Sequence, residues 1–420
     1  MPITKEQLRI IIKEQFEGFR ATDLGVRREQ LAQAQRHFSS PQVLLITGLR
    51  RCGKSTLAAQ IANLLGENGY YYANFEDDRL ANFQVSDFQK LLEVFIELFG
   101  EKKVFIFDEV QIVAQWERFV RRMSDQGNKF FITGSNATLL SHELGTKLTG
   151  RNTTIELFPF SFKEYLDFKG FTPPQVLDTA SKVKLDQYLM TYLREGGIAL
   201  ALRYPELNIL SELYRDVLSR DVVIRYRLDS DKAVRDLASY LFNNPATLQS
   251  YSKLKQLIQL KNVTTIKNYC HYFELGWLTF TIPLYAASIK RQQLAPKKIC
   301  LIDNGIVTQV AVETGSKLGR MFENLVFLHL RRKFSEIFYY LSAGGEVDLC
   351  VEKERVFYQV CMDLSDPLTR QRELKALVAA LRENPRWRGV VVTLEQDENL
   401  ELDGQEIRII PAYKFLLGLS

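Results

Sequence analysis

Gly48-Leu49-Arg50-Arg51-Cys52-Gly53-Lys54-Ser55 fits the pattern G-x-x-x-x-G-K-[ST] at every position. An apolar run, Val43–Thr47, precedes it, and a helical pattern over Ser55–Leu65 follows. This is the strand–loop–helix setting in which the match means a phosphate cradle. The glycines let the backbone curl so that its N–H groups face phosphate oxygens, and the helix N-terminus adds a favourable dipole. Lys54 is placed to reach β- and γ-phosphates, the Ser55 hydroxyl to ligate Mg²⁺, and Thr56 extends the loop into the helix. Outward from the loop, Tyr70–Phe75, Val104–Phe107 and Lys129–Thr133 read as further apolar strands. Helices over Phe88–Phe99 and Trp116–Asp125 separate them. Apolar strands alternating with helices predict a parallel sheet covered on both faces.

The strand Val104–Phe107 runs into Asp108-Glu109. An aspartate there would hold Mg²⁺, commonly through water, and the adjacent glutamate would orient and polarise an attacking water. The next strand delivers Gly134-Ser135-Asn136 beside the acids, so Ser135 or Asn136 could bond the γ-phosphate or that water. Arg151 is a candidate for neutralising transition-state charge, in cis or from a neighbouring subunit, and a solvated turn arginine is the equal alternative. Arg50 and Arg51 either touch phosphates or face solvent, and Glu76-Asp77-Asp78 reads as an acidic turn.

The 420 residues carry 55 Lys+Arg and 50 Asp+Glu, a net charge of +5, with 46% apolar residues. Length and composition predict several globular domains and exclude disorder and small disulfide scaffolds. The five cysteines are scattered without a C-x-x-C pair, which points to a reducing compartment. The four histidines suggest no local metal motif. The N-terminus is charged throughout, unlike a signal peptide, and no run reaches the length of a membrane span, so the expected location is the cytoplasm.

GLRRCGKST, FIFDEVQ, TGSNATLLS, LTGR and LFPFSFKEYL, followed by YLREGGIALAL, KKICLIDNGI, FENLVFLHL and GGEVDL, resemble prokaryotic AAA-type ATPases with a C-terminal domain of unknown function. The resemblance covers nearly the whole chain. It implies ATP binding and hydrolysis with Mg²⁺, a helical lid after the core, and action on DNA. It also implies a winged helix followed by a PD-(D/E)XK nuclease-like fold. The expected fold is α/β, with an N-terminal helical segment (1–40), a P-loop AAA-type core (41–160) and a helical lid (161–241). A winged helix-turn-helix (242–300) and a smaller nuclease-like α/β domain (301–420) complete it.

Between Leu248 and Lys298, eight basic residues (Lys253, Lys255, Lys261, Lys267, Lys290, Arg291, Lys297 and Lys298) face one acid, Glu274, so this stretch exceeds the net charge of the whole chain. Tyr251–Leu260 and Thr264–Leu275 have the lengths of a helix-turn-helix. Ile266, Cys270 and Phe273 are spaced to face inward, leaving Thr265, Lys267, Asn268, His271 and Tyr272 outward as a groove-reading face. Leu278–Lys290 and Leu294–Leu301 read as the wing, with Lys290 and Arg291 near its tip to meet phosphates. Double-stranded DNA is the expected partner. A protein-contact module, or a basic hairpin that only solubilises, is the alternative.

In the nuclease-like region Glu323 and Asp348 occupy the helix-acid and strand-acid positions, while the acid-x-Lys position holds Gln359-Val360-Cys361. An amide replaces an acid, a thiol replaces the lysine, and no other lysine is apparent. Glu346 could supply an acid. The expected result is a fold without nuclease activity. Three readings of the whole chain therefore compete. One is a DNA-associated ATPase, for which a homo-oligomer is the expected assembly. Another is a nucleotide-gated regulatory or scaffold module with little turnover. The third is an active metal-dependent DNA nuclease.

Overall fold

A computed structural model describes residues 3–67, 69–135, 152–312 and 317–419. It divides into two compact units, Met1–Phe158 and Pro159–Ser420.

The first unit is a five-stranded parallel sheet between helices. Its elements are α1 (Lys5–Arg20), α2 (Gln30–Arg36), β1 (Val43–Gly48), α3 (Lys54–Leu65), β2 (Tyr71–Asn74), α4 (Phe88–Phe99), β3 (Val104–Asp108), α5 (Trp116–Asp125), β4 (Lys129–Gly134) and β5 (Asn152–Leu157). The strand order is β2-β3-β4-β1-β5. Stacked phenylalanines fix one face: Phe105 lies on Phe130 at 4.7 Å between ring centroids, and Phe88 lies on Phe119 at the same spacing. The helix α1 starts on a Thr4–Gln7 capping box and buries Leu8, Ile11, Ile12, Phe16 and Phe19. Its Leu8, Ile11 and Ile12 join the core with α4, and Phe19 stacks on Tyr72 of β2, so α1 is an integral layer of this unit. Because β4 lies between β1 and β3, the C-terminal ends of three parallel strands bring the phosphate loop, the two acids and Ser135 to one sheet edge. The fifth strand was not anticipated. As an edge strand it keeps Asn152, Thr153, Thr154 and Glu156 half-exposed, and so lacks the apolar run that marks its neighbours.

The second unit opens with helices α6 (Phe162–Phe168), α7 (Thr179–Glu195), α8 (Ala199–Arg203) and α9 (Ile209–Asp216), the last continuing as a π-helix over Val217–Ile224, and then α10 (Asp231–Asn243). Next come β6 (Thr247–Gln249), α11 (Tyr251–Leu257), α12 (Val263–Leu275), β7 (Thr279–Ile282), α13 (Ile289–Leu294) and β8 (Lys297–Leu301). Their strands form an antiparallel sheet ordered β6-β8-β7. The link from β7 to β8 is not the extended wing expected, since Ser288 caps the short helix α13, which carries Lys290 and Arg291. After α14 (Asn304–Val310) and α15 (Lys317–Arg331) come β9 (Phe338–Ser342), β10 (Gly345–Val351), β11 (Val356–Val360), α16 (Pro367–Glu383), β12 (Arg388–Thr393), β13 (Glu398–Leu402), β14 (Gln405–Pro411) and α17 (Ala412–Leu417). The resulting mixed sheet is ordered β13-β14-β12-β11-β10-β9, with α16 packed on it through Leu374, Leu377 and Leu381.

A buried polar knot holds the helical part to β8. Asp303 accepts the N–H groups of Gly305 at 2.9 Å and Ile306 at 3.3 Å, capping α14, and the N–H of Gly197 at 2.7 Å. Gly196 has φ +72°, and a Cβ there would lie 2.2 Å from the Asp303 carboxylate, so only glycine fits. Asn324 spans β8 to α15, accepting from Leu301 N–H at 2.7 Å and donating to its carbonyl at 3.0 Å.

Candidate functional site

The loop between β1 and α3 is shaped by contacts behind it. At Gly48 a Cβ would stand 2.1 Å from the carbonyl oxygen of Leu157, so β5 leaves no room for a side chain. Gly53 has φ +96°, and Arg51 also lies in the left-handed region. The Lys54 ammonium is buried and donates to the carbonyls of Leu49 at 3.1 Å and Gly48 at 3.3 Å, which keeps it within the loop. Arg50 pairs with Glu76 at 3.2 Å, and Arg51 is exposed.

Asp108 ends β3 almost fully buried. Burial raises its carboxyl pKa, while hydrogen bonds from Thr133 and Ser55 act in the opposite sense. The Tyr72 hydroxyl also bonds this carboxylate. Ser55 and Asp108, expected from sequence to share a cation, are thus in contact, and both present the hard oxygens that Mg²⁺ prefers. Glu109 follows with φ +53°, a strained conformation that turns its side chain toward β4. One carboxylate oxygen accepts from the Ser135 N–H at 3.2 Å, the Ser135 hydroxyl at 3.2 Å and the Gln111 amide. Ser135, Glu109, Asp108, Ser55 and Lys54 therefore converge. Asn136 and Arg151 lie outside the described residues. Thr133, Tyr72 and Gln111 were missed by sequence reasoning, as was Arg28. Thr133 was legible, since it sits on the adjacent strand in register with Asp108.

An AAA domain profile matches residues 40–166, and a domain of unknown function (DUF8612) matches 197–317. The uncharacterized protein MJ1544 of Methanocaldococcus jannaschii is 33% identical over 395 residues, covering 90% of this chain and 88% of that protein. The chain belongs to its family. An uncharacterized protein of Haemophilus influenzae is 27% identical, covering 91% of this chain and 96% of its own length. Among solved structures, Aeropyrum pernix Orc1 in complex with DNA is similar at 14% identity and a TM-score of 0.32, covering 69% of this chain and 94% of that one. AMPPCP-bound DnaA from Aquifex aeolicus is similar at 15% identity and a TM-score of 0.27, covering 59% of this chain and 86% of that one. The profile match over residues 40–166 makes the first unit an AAA-type P-loop domain. Among the described residues no helix is long and apolar enough to cross a membrane.

In the second unit, α12 buries Ile266, Cys270 and Phe273, as its spacing predicted. Lys253, Lys261, Lys267, Asn268, His271, Lys290 and Arg291 are exposed, Lys255 and Thr265 half-buried. His271 pairs with Glu274 at 3.9 Å, which raises its pKa. Tyr272 is not free to read a groove, because its ring stacks on Tyr226 at 3.9 Å.

Lys298 does not belong to the basic surface. Counted from sequence with the basic surface, it is 1% exposed. Its ammonium lies 2.5 Å from Glu323 of α15, 2.7 Å from Glu346 and 3.4 Å from Asp348 of β10, and it also donates to the Asp348 carbonyl at 3.1 Å. An ammonium from β8, which sequence spacing did not single out, therefore stands among these three acids. Burial alone would lower its pKa, but the three carboxylates outweigh burial and lift it well above the ordinary value. Burial raises Glu323 and Asp348 in turn. Gln359 turns its amide to Glu373 of α16 at 2.6 Å, while Asp348 accepts the Val360 N–H at 2.8 Å. Cys361 donates to the Asp363 carbonyl at 3.2 Å, so no thiol stands in for the lysine. The cation that a nuclease-like fold implies does not fit this arrangement. The Lys298 ammonium already occupies the space between the carboxylates of Glu323, Glu346 and Asp348.

Proposed function

We propose that the protein binds and hydrolyses ATP in its first unit and couples the nucleotide state to DNA held by its second. The observation that carries this reading is the convergence of Lys54, Ser55, Asp108 and Glu109 at the C-terminal edge of one parallel sheet. Backbone amides and Lys54 hold the phosphates. When Mg²⁺ is bound, Ser55 and Asp108 hold it, and it offsets phosphate charge. Glu109, held by Ser135 and Gln111, is the acceptor that orients a water and takes its proton. Asn136 contributes to the γ-phosphate side, and Arg151 supplies transition-state charge. A module that merely holds ATP needs no such base, so the way Glu109 is held favours turnover.

The β6–α11–α12–β7–β8 unit reads as a winged helix-turn-helix in which Lys253, Lys255, Lys261, Lys267, Lys290 and Arg291 meet phosphates. Thr265, Asn268 and His271 lie toward a groove. The C-terminal sheet reads as a PD-(D/E)XK-like fold without metal-dependent cutting. Position 359 is neutral, and Lys298 occupies the space between the acids.

Binding of fluorescent ADP and of labelled duplex tests both halves. Lys54→Ala is expected to abolish nucleotide binding. Lys253, Lys267 and Lys290 changed to Gln are expected to weaken duplex binding and flatten its salt dependence by about one unit of log–log slope per phosphate contact. Nucleotide affinity unchanged in the first variant, or duplex affinity unchanged in the second, contradicts the reading. Nicking of supercoiled plasmid with Mg²⁺ or Mn²⁺, lost in Asp348→Ala, would overturn the claim that the second unit does not cut.

A further inference from the structure

Arg28 lies in the segment between α1 and α2, outside every recognisable motif, yet it is among the most buried charged residues, at 2% exposure. Its guanidinium reaches two backbone carbonyls that are far apart in sequence. One nitrogen donates to the Cys52 oxygen, inside the phosphate loop, at 2.7 Å. The other donates to the oxygen of Phe158, just beyond β5 and the last residue of the first unit, at 2.6 Å. The residue is itself held in place. Its backbone N–H donates to the Gln60 side chain at 3.1 Å, and Gln60 donates to the carbonyls of Leu24 and Val26 at 2.7 Å each. Gln60 belongs to α3, the helix that the phosphate loop opens, so the segment 24–28 is stapled to that helix from behind.

A trans peptide is planar, with its C=O and the following N–H on opposite sides. Holding the Cys52 oxygen therefore turns the Gly53 N–H away from Arg28. Gly53 shows how closely the guanidinium sits: its φ is +96°, and a Cβ there would approach Arg28 Nη1 at 3.1 Å. The other contacts behind the loop point the same way. The Cys52 thiol donates to the Leu157 carbonyl at 3.4 Å, and Gly48 abuts the same oxygen. Arg28 adds a permanent positive charge behind the loop, and its fork spans two acceptors where an ammonium offers a point charge.

We infer that Arg28 is a positioning residue for nucleotide binding, which clamps the Cys52–Gly53 peptide against the end of β5 so that the Gly53 amide faces the phosphates. The inference rests on the ATP-binding reading and adds to it a residue that never touches the nucleotide. It also ties the loop's conformation to Phe158, where the chain leaves the first unit.

The test uses the full-length chain, with fluorescent ADP and Mg²⁺ for affinity and phosphate release for turnover. Arg28→Met is expected to bind about tenfold or more weakly, because a buried loop carbonyl loses its partner. KM for ATP should rise in proportion, with kcat within about threefold of wild type, since the reacting groups are untouched. Arg28→Lys, which keeps the charge but not the fork, should fall between. Affinity within about twofold of wild type in folded Arg28→Met overturns the inference, and so does a fall in kcat with KM unchanged, the signature of fewer folded molecules. Should Arg28→Met not fold, Arg28→Lys decides: weakened binding supports the clamp and wild-type affinity overturns it. Absence of binding by the wild-type protein would instead refute the nucleotide reading beneath it.

Discussion

Lys298→Met removes one positive charge from among three carboxylates while nearly preserving volume. The ammonium is 1% exposed and lies within 2.5–3.4 Å of Glu323, Glu346 and Asp348. Deleting one partner of a buried ion pair costs about 3–5 kcal/mol, because the remaining charge stays buried without compensation. In a unit of this size that corresponds to a fall in Tm of roughly 10 °C. The assay is calorimetric unfolding of the full chain, following the transition of the second unit. Two controls separate charge from packing. Glu323→Gln in the Lys298→Met background should recover about 2 kcal/mol, since it removes a charge that has lost its partner. The deficit should also shrink on acidification. Burial already raises Glu323 and Asp348, so the native state binds more protons than the unfolded chain, and stability falls as pH rises through their range. Without the ammonium this slope steepens, so the variant should be closer to wild type at pH 5 than at pH 8. A Tm within about 2 °C of wild type, or a deficit insensitive to both Glu323→Gln and pH, would refute the reasoning.

Two further outcomes follow. Gly48→Ala would place a Cβ 2.1 Å from the Leu157 carbonyl, and nucleotide affinity should fall about a hundredfold or more, measured with fluorescent ADP; retention of affinity contradicts the packing of β5 behind the loop. Asp303, pushed by burial to about 6, should cost the fold about 3 kcal/mol as pH rises from about 3 to about 7, because the native carboxyl holds its proton where the unfolded one has released it. Asp303→Asn should abolish that part of the pH dependence in urea unfolding, and an unchanged profile would show that Asp303 does not carry it.

The phosphate loop, Asp108-Glu109 and Ser135 were legible because each follows an apolar strand, and parallel strands bring their ends to one edge. The inward face of α12 was legible from its period. Lys298 was not. It is 25 residues from Glu323 and 50 from Asp348, and nothing local separates it from its neighbour Lys297. The one available signal was its place at the head of the apolar run Ile299-Cys300-Leu301, where a strand buried on both faces forces a charged side chain to find partners inside. Arg28 was hidden for a related reason: a residue that bonds backbone carbonyls answers to no side-chain motif, and its acceptors Cys52 and Phe158 are set by tertiary structure.

The central claim is that the first unit turns ATP over with Glu109 as the base. Phosphate release by wild type and Glu109→Gln at saturating MgATP, with fluorescent ADP binding measured on both, tests it most directly. Equal binding and a fall in turnover of about a hundredfold or more in the variant are expected. Equal turnover by the two proteins would contradict it.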